Sequence, residues 1–308
     1  MHLEILIASQ LIYPIVSVKD VVRRLRFLGR AMLNNNVLDA FIEQIVTHGH
    51  AYVFSYKPHV LGVLEWPYIH NQWNLQQRLN IILQHHILME KQPSFLDIHH
   101  AKPLLGGTFN SHGTEVPHGK KIIDLHEHSP NTSIVLDRPS WFAREGEIVI
   151  NLFKDDERIQ SLAFTLASLN NQLVIYIGAI QGKHADDNSL LVFKTITKDL
   201  HGIRPVNFMI TLLKLIADRI GVKAIYAVSD LNRHHHHPYF KGAMPKMLNS
   251  YNTAWEEHKG IKLDNGFYHL PVAEQRKIPT DIPSNKRAMY QRRYQMLDEI
   301  KNTISQLE

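Results

Sequence analysis

The sequence predicts an α+β fold: an α/β-like core in which a mixed sheet carries an antiparallel meander and a crossover helix, preceded by an N-terminal helical region. Three stretches predict it. In QLVIYIGAIQG, Val174, Ile175, Tyr176 and Ile177 form a β-branched and aromatic run closed by glycine, which reads as a buried strand. From Val206 to Ile220 the residues Met209, Ile210, Leu212, Leu213, Leu215, Ile216 and Ile220 recur at three- and four-residue spacing, the mark of a helix with a broad apolar face. Pro205 suits its first turn and Gly221 its end. Ala224 to Val228 reads as a second buried strand. A strand, a crossover helix and a strand with little alternation belong side by side in a covered sheet.

The remaining elements follow in chain order. VKDVVRRLRFLGRAML reads as a helix with an apolar stripe beside Arg23, Arg24, Arg26 and Arg30, and VLDAFIEQIVTHG as a second helix after Asn34-Asn35-Asn36. The arginines mark either a solvated face or a surface for an anionic ligand or headgroup. Trp66, Pro67, Tyr68 and Trp73 form an aromatic knot before the helix LQQRLNIILQHHILMEK; aromatics so clustered cover a core or joint, or line a pocket. Residues 1–92 are thus an N-terminal helical region, and 93–146, rich in Gly, His, Pro and Ser, an irregular linker or sheet margin. The core spans 147–283. It opens on EIVINLF, IQSLAFTLAS and QLVIYIGAI, three antiparallel strands joined by turns at Lys154–Glu157 and Asn170-Asn171. An extra helix is expected from Leu190 to His201, another from Met244 to His258, and a strand at NGFYHLPV. Residues 284–308 form a C-terminal amphipathic helix opened by Ser284.

Composition narrows the chemistry. In 308 residues with 44% hydrophobic content there is material for one or two ordinary domains. With no cysteine, disulfides, thiol nucleophiles and thiolate metal sites are excluded. A net charge of +5 suits an acidic partner surface without requiring nucleic acid. The opening MHLEILIASQLIYPIV carries Glu4, lacks a basic leader and is broken by Pro14, so it reads as neither a signal peptide nor a spanning helix. The expectation is a cytoplasmic protein, with weak membrane-surface contact left open. No GxSxG, GxxxxGK[ST] or GxGxxG is present, which argues against a serine hydrolase or a nucleotide-phosphate enzyme. Histidine is abundant, with 21 residues, among them the pairs His85-His86 and His99-His100, a loose set from His112 to His128, and the run His234–His237. They read as surface and loop residues without a shared ligand, or as a zinc or copper site. Consecutive histidines are expected to diverge and HExxH is absent, so no metal is assigned.

WPYIHNQW, IGAIQG, LHGIRP, YNTAWEE, GFYHLP and PSNKRAMYQRRY occur in order, and together they resemble the bacterial VirK/YbjX family over nearly the whole chain beyond the first helices. That resemblance implies a role in virulence and tolerance of antimicrobial peptides. It also implies proximity to small lysine acyltransferase-like partner subunits of the RTX-toxin type, in gene sets that mature siderophore-bearing microcins. The family-pattern positions it carries over are Gln181, Gly182, His201, Gly202, Arg204, Tyr251, Trp255, Lys286 and Arg287.

The element order is similar to the GNAT acyltransferase core that FemX-type aminoacyl transferases share. That likeness implies an anion seat on the amides opening the central helix, here GIRPVN, where Arg204 could fork onto a phosphate or carboxylate. Gln181, Gly182, Gly202, Arg204, Lys286 and Arg287 are the cofactor-binding candidates. The Q/RxxGxG/A loop is missing, which argues against acetyl-CoA and for a bulkier acyl or aminoacyl carrier, or for no cofactor. His201 or His237 is the candidate base, oriented by Asp230. Two readings result: an acyl- or aminoacyl-transferase-like protein acting on a peptide, glycan or lipid, or a non-catalytic, chaperone-like binding factor.

Overall fold

The computed structural model describes residues 2–98, 119–183, 187–241 and 250–308. Its strands are β1 (Lys120–Asp124), β2 (Thr132–Asp137), β3 (Ile148–Lys154), β4 (Glu157–Leu169), β5 (Gln172–Gly182), β6 (Ala224–Val228), β7 (Ile261–Lys262) and β8 (Phe267–Leu270). They form one mixed sheet in the order β1-β2-β3-β4-β5-β6-β8-β7. Its centre is set by two tight turns. Asp155 and Asp156, with φ of 50° and 62°, join β3 to β4, while Asn170 and Asn171, with φ of 51° and 61°, join β4 to β5. A two-residue hairpin of this kind needs positive φ at both central positions, which Asn and Asp tolerate best. The antiparallel meander is therefore as expected. Among the described residues only β5 and β6 pair in parallel, so the connection between them must cross over the sheet.

The helices are α1 (Leu3–Ile12), α2 (Val18–Leu33), α3 (Asn35–Thr47), α4 (Tyr52–Tyr56), α5 (Leu75–Met89), α6 (Asp187–Asp199), α7 (Pro205–Arg219), α8 (Tyr251–Glu257) and α9 (Arg287–Gln306). The crossover is α6 followed by α7. Pro205 occupies the first position of α7, where its missing N–H costs nothing, and the helix is buried along most of its length against β3, β4 and β5. On β4 also lies α5, whose His85 Nδ1 accepts from the Leu166 amide at 3.2 Å and whose Gln84 Oε1 accepts from that of Ser168 at 3.0 Å. Because β3 and β4 are covered on both faces, their burial is continuous along most of each strand, with Asn151, Ser161 and Thr165 enclosed among the apolar residues.

Two expectations change in detail. Within the stretch expected as linker or sheet margin, β1 and β2 form the edge of the same sheet; His99, His100, His112 and His118 lie outside the described residues. Of the helix expected over 244–258, the part before residue 250 also lies outside them. Three of the arginines on α2 are engaged, Arg23 by Asp20, Arg24 by Ser9 and Arg30 by Glu65. No described helix is long and apolar enough to cross a membrane.

The N-terminal helices are tied to the sheet by a buried ionic knot. Glu147, just before β3, has a carboxylate that pairs with both Lys57 and Arg138. Tyr68 Oη donates to its other oxygen at 3.0 Å and lies 2.7 Å from Thr165 Oγ1 on β4, and His86 Nε2 stands 3.6 Å away. Removing the anion would strand two buried cations. Glu147→Ala should therefore destabilise the fold by about 3–5 kcal/mol, whereas Lys301→Ala, which breaks the exposed pair with Asp218, should cost less than about 1 kcal/mol. Urea denaturation of the two variants checks this, and equal losses would show that the knot carries no special weight.

Candidate functional site

A parallel pair of strands makes a notch when it parts, and β5 and β6 part early. They pair from Val174↔Ala224 to Ile177↔Ala227. Beyond this β5 runs on with β4 to Gly182, while β6 ends at Val228 opposite Phe267 of β8. The register of β4 and β5 shifts here, with Ala163 opposite Ala179 but Phe164 opposite Ile177, so Gly178 is an extra residue and the strand bulges. A Cβ on Gly178 would overlap the carbonyl of Glu145, so only glycine lets that segment approach so closely. Beside it Ile69, β-branched yet with φ of 55°, donates its amide to Arg144 O at 2.7 Å. A side chain of that shape in the left-handed region stores strain of about 1–3 kcal/mol.

Four elements supply the polar lining. From the segment before β3 comes Glu145, whose buried Oε1 accepts from Gln181 Nε2 of β5 at 2.7 Å. From the turn after β6 come His234 and His235. His234 Nδ1 lies 3.6 Å and His235 Nε2 3.7 Å from that same oxygen, and the two ring centroids are 3.8 Å apart. From α8 comes Tyr251, its ring covered by the Arg233 guanidinium at 3.8 Å. The turn is held in place by the aromatic-knot segment, where His70 bridges Arg233 and the Asn71 amide donates to Asn232 O at 2.8 Å. His234 Nδ1 and Tyr251 Oη are buried without a hydrogen-bond partner.

Burial dominates the electrostatics of this cluster. It raises the Glu145 carboxyl above its ordinary range, with His235 and Arg233 pulling the other way. It also holds the His234 imidazole well below its usual value, helped by neighbouring His235 and Arg233. The Tyr251 phenol is pushed up by burial and stays protonated. The cluster is therefore a set of desolvated, perturbed groups at the carboxyl ends of two parallel strands, where ligands of open α/β sheets gather.

The residues singled out from sequence divide. Gln181 belongs to this cluster, and Gly182 follows it beside Gln160 and Phe193. Asp230 caps α8, accepting from the Tyr251 amide at 2.8 Å, the Asn252 amide at 3.3 Å and Ser250 Oγ at 2.6 Å. His237 caps the next turn, its Nδ1 accepting from the Tyr239 amide at 3.1 Å. His201 sits in a left-handed turn with Gly202, and its carbonyl accepts from Arg293 of α9. Neither histidine bonds to Asp230, so the expected base oriented by that carboxylate is not formed: short polar groups at element junctions serve as caps. Arg204 pairs with Glu257, whose Oε2 also accepts from Asn207 Nδ2 at 2.9 Å. The opening of α7 thus faces a protein carboxylate in place of the expected free anion seat. Lys286 and Arg287 are exposed where α9 begins, with Arg287 Nε donating to Ile282 O at 3.4 Å. Trp255 is fully buried, its Nε1 donating to Val228 O at 2.9 Å.

Sequence reasoning missed Glu145, His234 and His235. The expectation that consecutive histidines diverge fails because Arg233 leads into a tight 3-10 turn at His234–His236 that stacks the first two rings. One available signal was the pair Glu145 and Glu147 placed directly before an apolar strand, where acids are buried only with partners.

An α+β protein with a polar notch between diverging parallel strands is the class that this geometry defines. Residues 17–306 match the family described as "Protein of unknown function (DUF535)", and the chain belongs to that family. An uncharacterized protein of Haemophilus influenzae is 34% identical over 164 residues, 53% of this chain and 53% of that protein. The uncharacterized protein YbjX of Escherichia coli is 32% identical over 159 residues, 51% of this chain and 48% of YbjX. The matched part thus spans about half the length of these relatives, in keeping with the VirK/YbjX motifs.

Burial also makes stability pH-dependent. His70 is lowered to about 4 and His258 to about 3, chiefly by desolvation. Below its ordinary value near 6.5, the unfolded chain takes up protons that the folded chain refuses. Stability contributed by these neutral imidazoles is therefore complete above that pH and falls as pH drops towards 4. Thermal midpoints measured from pH 7.5 to 4.5 should decline, and His258→Gln should flatten the slope; an unchanged slope would assign the decline elsewhere.

Proposed function

We propose that this protein transfers an acyl or aminoacyl group to an amine or hydroxyl of a peptide, glycan or lipid, within the notch between β5 and β6. The observation that supports the reading best is the convergence of Glu145, Gln181, His234, His235 and Tyr251 on the bulge at Gly178. The element order, a meander followed by a crossover helix and a returning strand, is that of GNAT-like transferases. In such a reaction the acceptor loses its proton to the Glu145–histidine cluster and attacks the donor carbonyl. The tetrahedral adduct then collapses, the leaving thiol or hydroxyl takes that same proton back from the cluster, and the Tyr251 phenol, which stays protonated, donates a hydrogen bond to the oxyanion. Gln181 holds Glu145 in place throughout.

The Glu257 carboxylate at the opening of α7 argues against a cofactor pyrophosphate there and favours a donor borne on a carrier. A lipid acceptor fits the exposed aliphatic face of α1 and α2, where Leu3, Ile7, Leu11, Val18, Val22 and Leu25 lie beside Lys19, Arg23 and Arg26. The same Arg204–Glu257 pair also favours a second reading, a binding factor of virulence or antimicrobial-peptide tolerance without catalysis. Native mass spectrometry of protein purified from bacterial cells separates the two. A co-purifying thioester or aminoacyl carrier, reduced at least about tenfold in Tyr251→Phe and retained in His201→Gln, is the expected outcome. A stoichiometric protein partner with no small molecule would overturn transfer in favour of the binding factor.

A further inference from the structure

The polar end of the notch has a donor set that the transfer reading alone does not require. Glu145 Oε1, His234 Nδ1 and His235 Nε2 all lie within 4.8 Å of one another, and the carboxylate oxygen stands 3.6 Å and 3.7 Å from the two imidazole nitrogens. Ligands about 2.1 Å from a tetrahedral ion are themselves about 3.4 Å apart, close to the 3.6 Å and 3.7 Å of the two carboxylate–imidazole edges, while the third edge lies within 4.8 Å. Octahedral coordination would ask for about 3.0 Å between neighbours, a larger contraction. His234 supplies a second, independent observation: its Nδ1 is buried, points at Glu145 and has no hydrogen-bond partner. A buried nitrogen left unsatisfied is costly, and a cation would satisfy it.

We infer that Glu145, His234 and His235 bind one divalent transition-metal ion, zinc foremost, with three protein ligands and an open fourth position directed into the notch.

Several features of the surroundings suit such a site. Gln181 donates to Glu145 and orients the carboxylate, the part that outer-shell residues play around a metal. His235 keeps 21% of its side-chain surface exposed, against 3% for each of the other two, which leaves a path for the ion from that side. The positive charges nearby oppose binding. Arg144 is spread over the rings of Trp66, Tyr239 and Phe240 at 5.0–5.5 Å, and Arg233 over Tyr251. Both guanidiniums are held against aromatic faces, and their field makes this site weaker than a structural zinc site of two or more thiolates. With the ion bound, a hydroxide formed from water in the open position would take the proton-accepting part that the metal-free cluster plays in the proposed transfer. Binding itself does not depend on that reaction.

The test is isothermal titration of EDTA-treated full-length protein with zinc chloride, together with the metal content of the protein as purified. One high-affinity ion per chain is expected in the wild type. His235→Gln and Glu145→Gln should each weaken it at least about tenfold, Gln181→Ala by about tenfold, and the exposed control His48→Gln not at all. Because Glu145 is fully buried, so that its replacement also perturbs folding, the partly exposed His235→Gln decides, with circular dichroism to verify its fold. No saturable site in the wild type, or equal affinity in wild type and His235→Gln, would overturn the inference. Zinc bound without any carrier-borne donor leaves the metal site standing and removes transfer; a bound donor without zinc does the reverse.

Discussion

A single buried carboxylate decides how the two halves of this molecule meet. Glu147 neutralises Lys57 from the N-terminal region and Arg138 from the end of β2, and through Tyr68 and Thr165 it reaches the middle of β4. Three of these groups could not be buried alone, since an uncompensated charge in a low-dielectric interior is far more costly than any one contact returns. Because the knot fixes Tyr68, it also fixes Ile69 and His70, the residues that grip Arg144 and the turn after β6. The aromatic knot is therefore a joint, and what it positions is the lining of the notch. Apolar packing runs through the same joint, for one main cluster of buried side chains extends from α1 to α9.

Glu145 and Glu147 are two residues apart and have opposite surroundings. Between them Gly146 lies so close to Phe164 that any side chain would strike its backbone, so the segment is pressed onto β4 and both acids are carried into the interior. Glu147 meets two cations and becomes structural. Glu145 meets an amide donor and two imidazoles, with guanidiniums held at a distance over aromatic rings, and burial raises its carboxyl. Divergent environments acting on paired carboxylates are how one fold separates a structural acid from a chemically available one.

Elements were legible in the sequence where local chemistry decides them. Asn170-Asn171 and the acidic turn before Glu157 could be read because few residues accept two consecutive positive φ values, and α7 because Pro205, its apolar spacing and Gly221 agree. What was not legible depends on pairing across long distances. KKIID and TSIVLD are too short for their alternation to be distinctive, and their place in the sheet comes from β3, not from their own sequence. The site shows the same limit more sharply. Asp230 and His237 sit where a base and its orienting acid would sit, but an N-cap and a turn cap draw on the same residue types at the same junctions. Likewise His50, His70, His85, His86 and His234, among the described histidines, are buried, contrary to the expectation of surface and loop residues; at His50, His70 and His234 desolvation disfavours the charged form, and a neutral imidazole packs like an aromatic ring with one polar edge.

The opening of α7 and the notch offer an anionic guest different surroundings. A helix opening attracts negative charge through its unpaired amides, and at α7 the Glu257 carboxylate already stands there, held by the Arg204 and Asn207 side chains. Any phosphate arriving there would have to displace a carboxylate already fixed by an ion pair and a hydrogen bond. The carboxyl ends of β5 and β6 present the reverse situation. There the strands diverge, the bulge at Gly178 interrupts the ladder, and two buried polar atoms lack partners. Unsatisfied groups in a native interior need a compensating partner or a role, and strain at Ile69 is tolerated beside them. Under the proposed transfer the reacting groups are accordingly those at the strand ends, and Arg204 at the helix opening makes a structural contact.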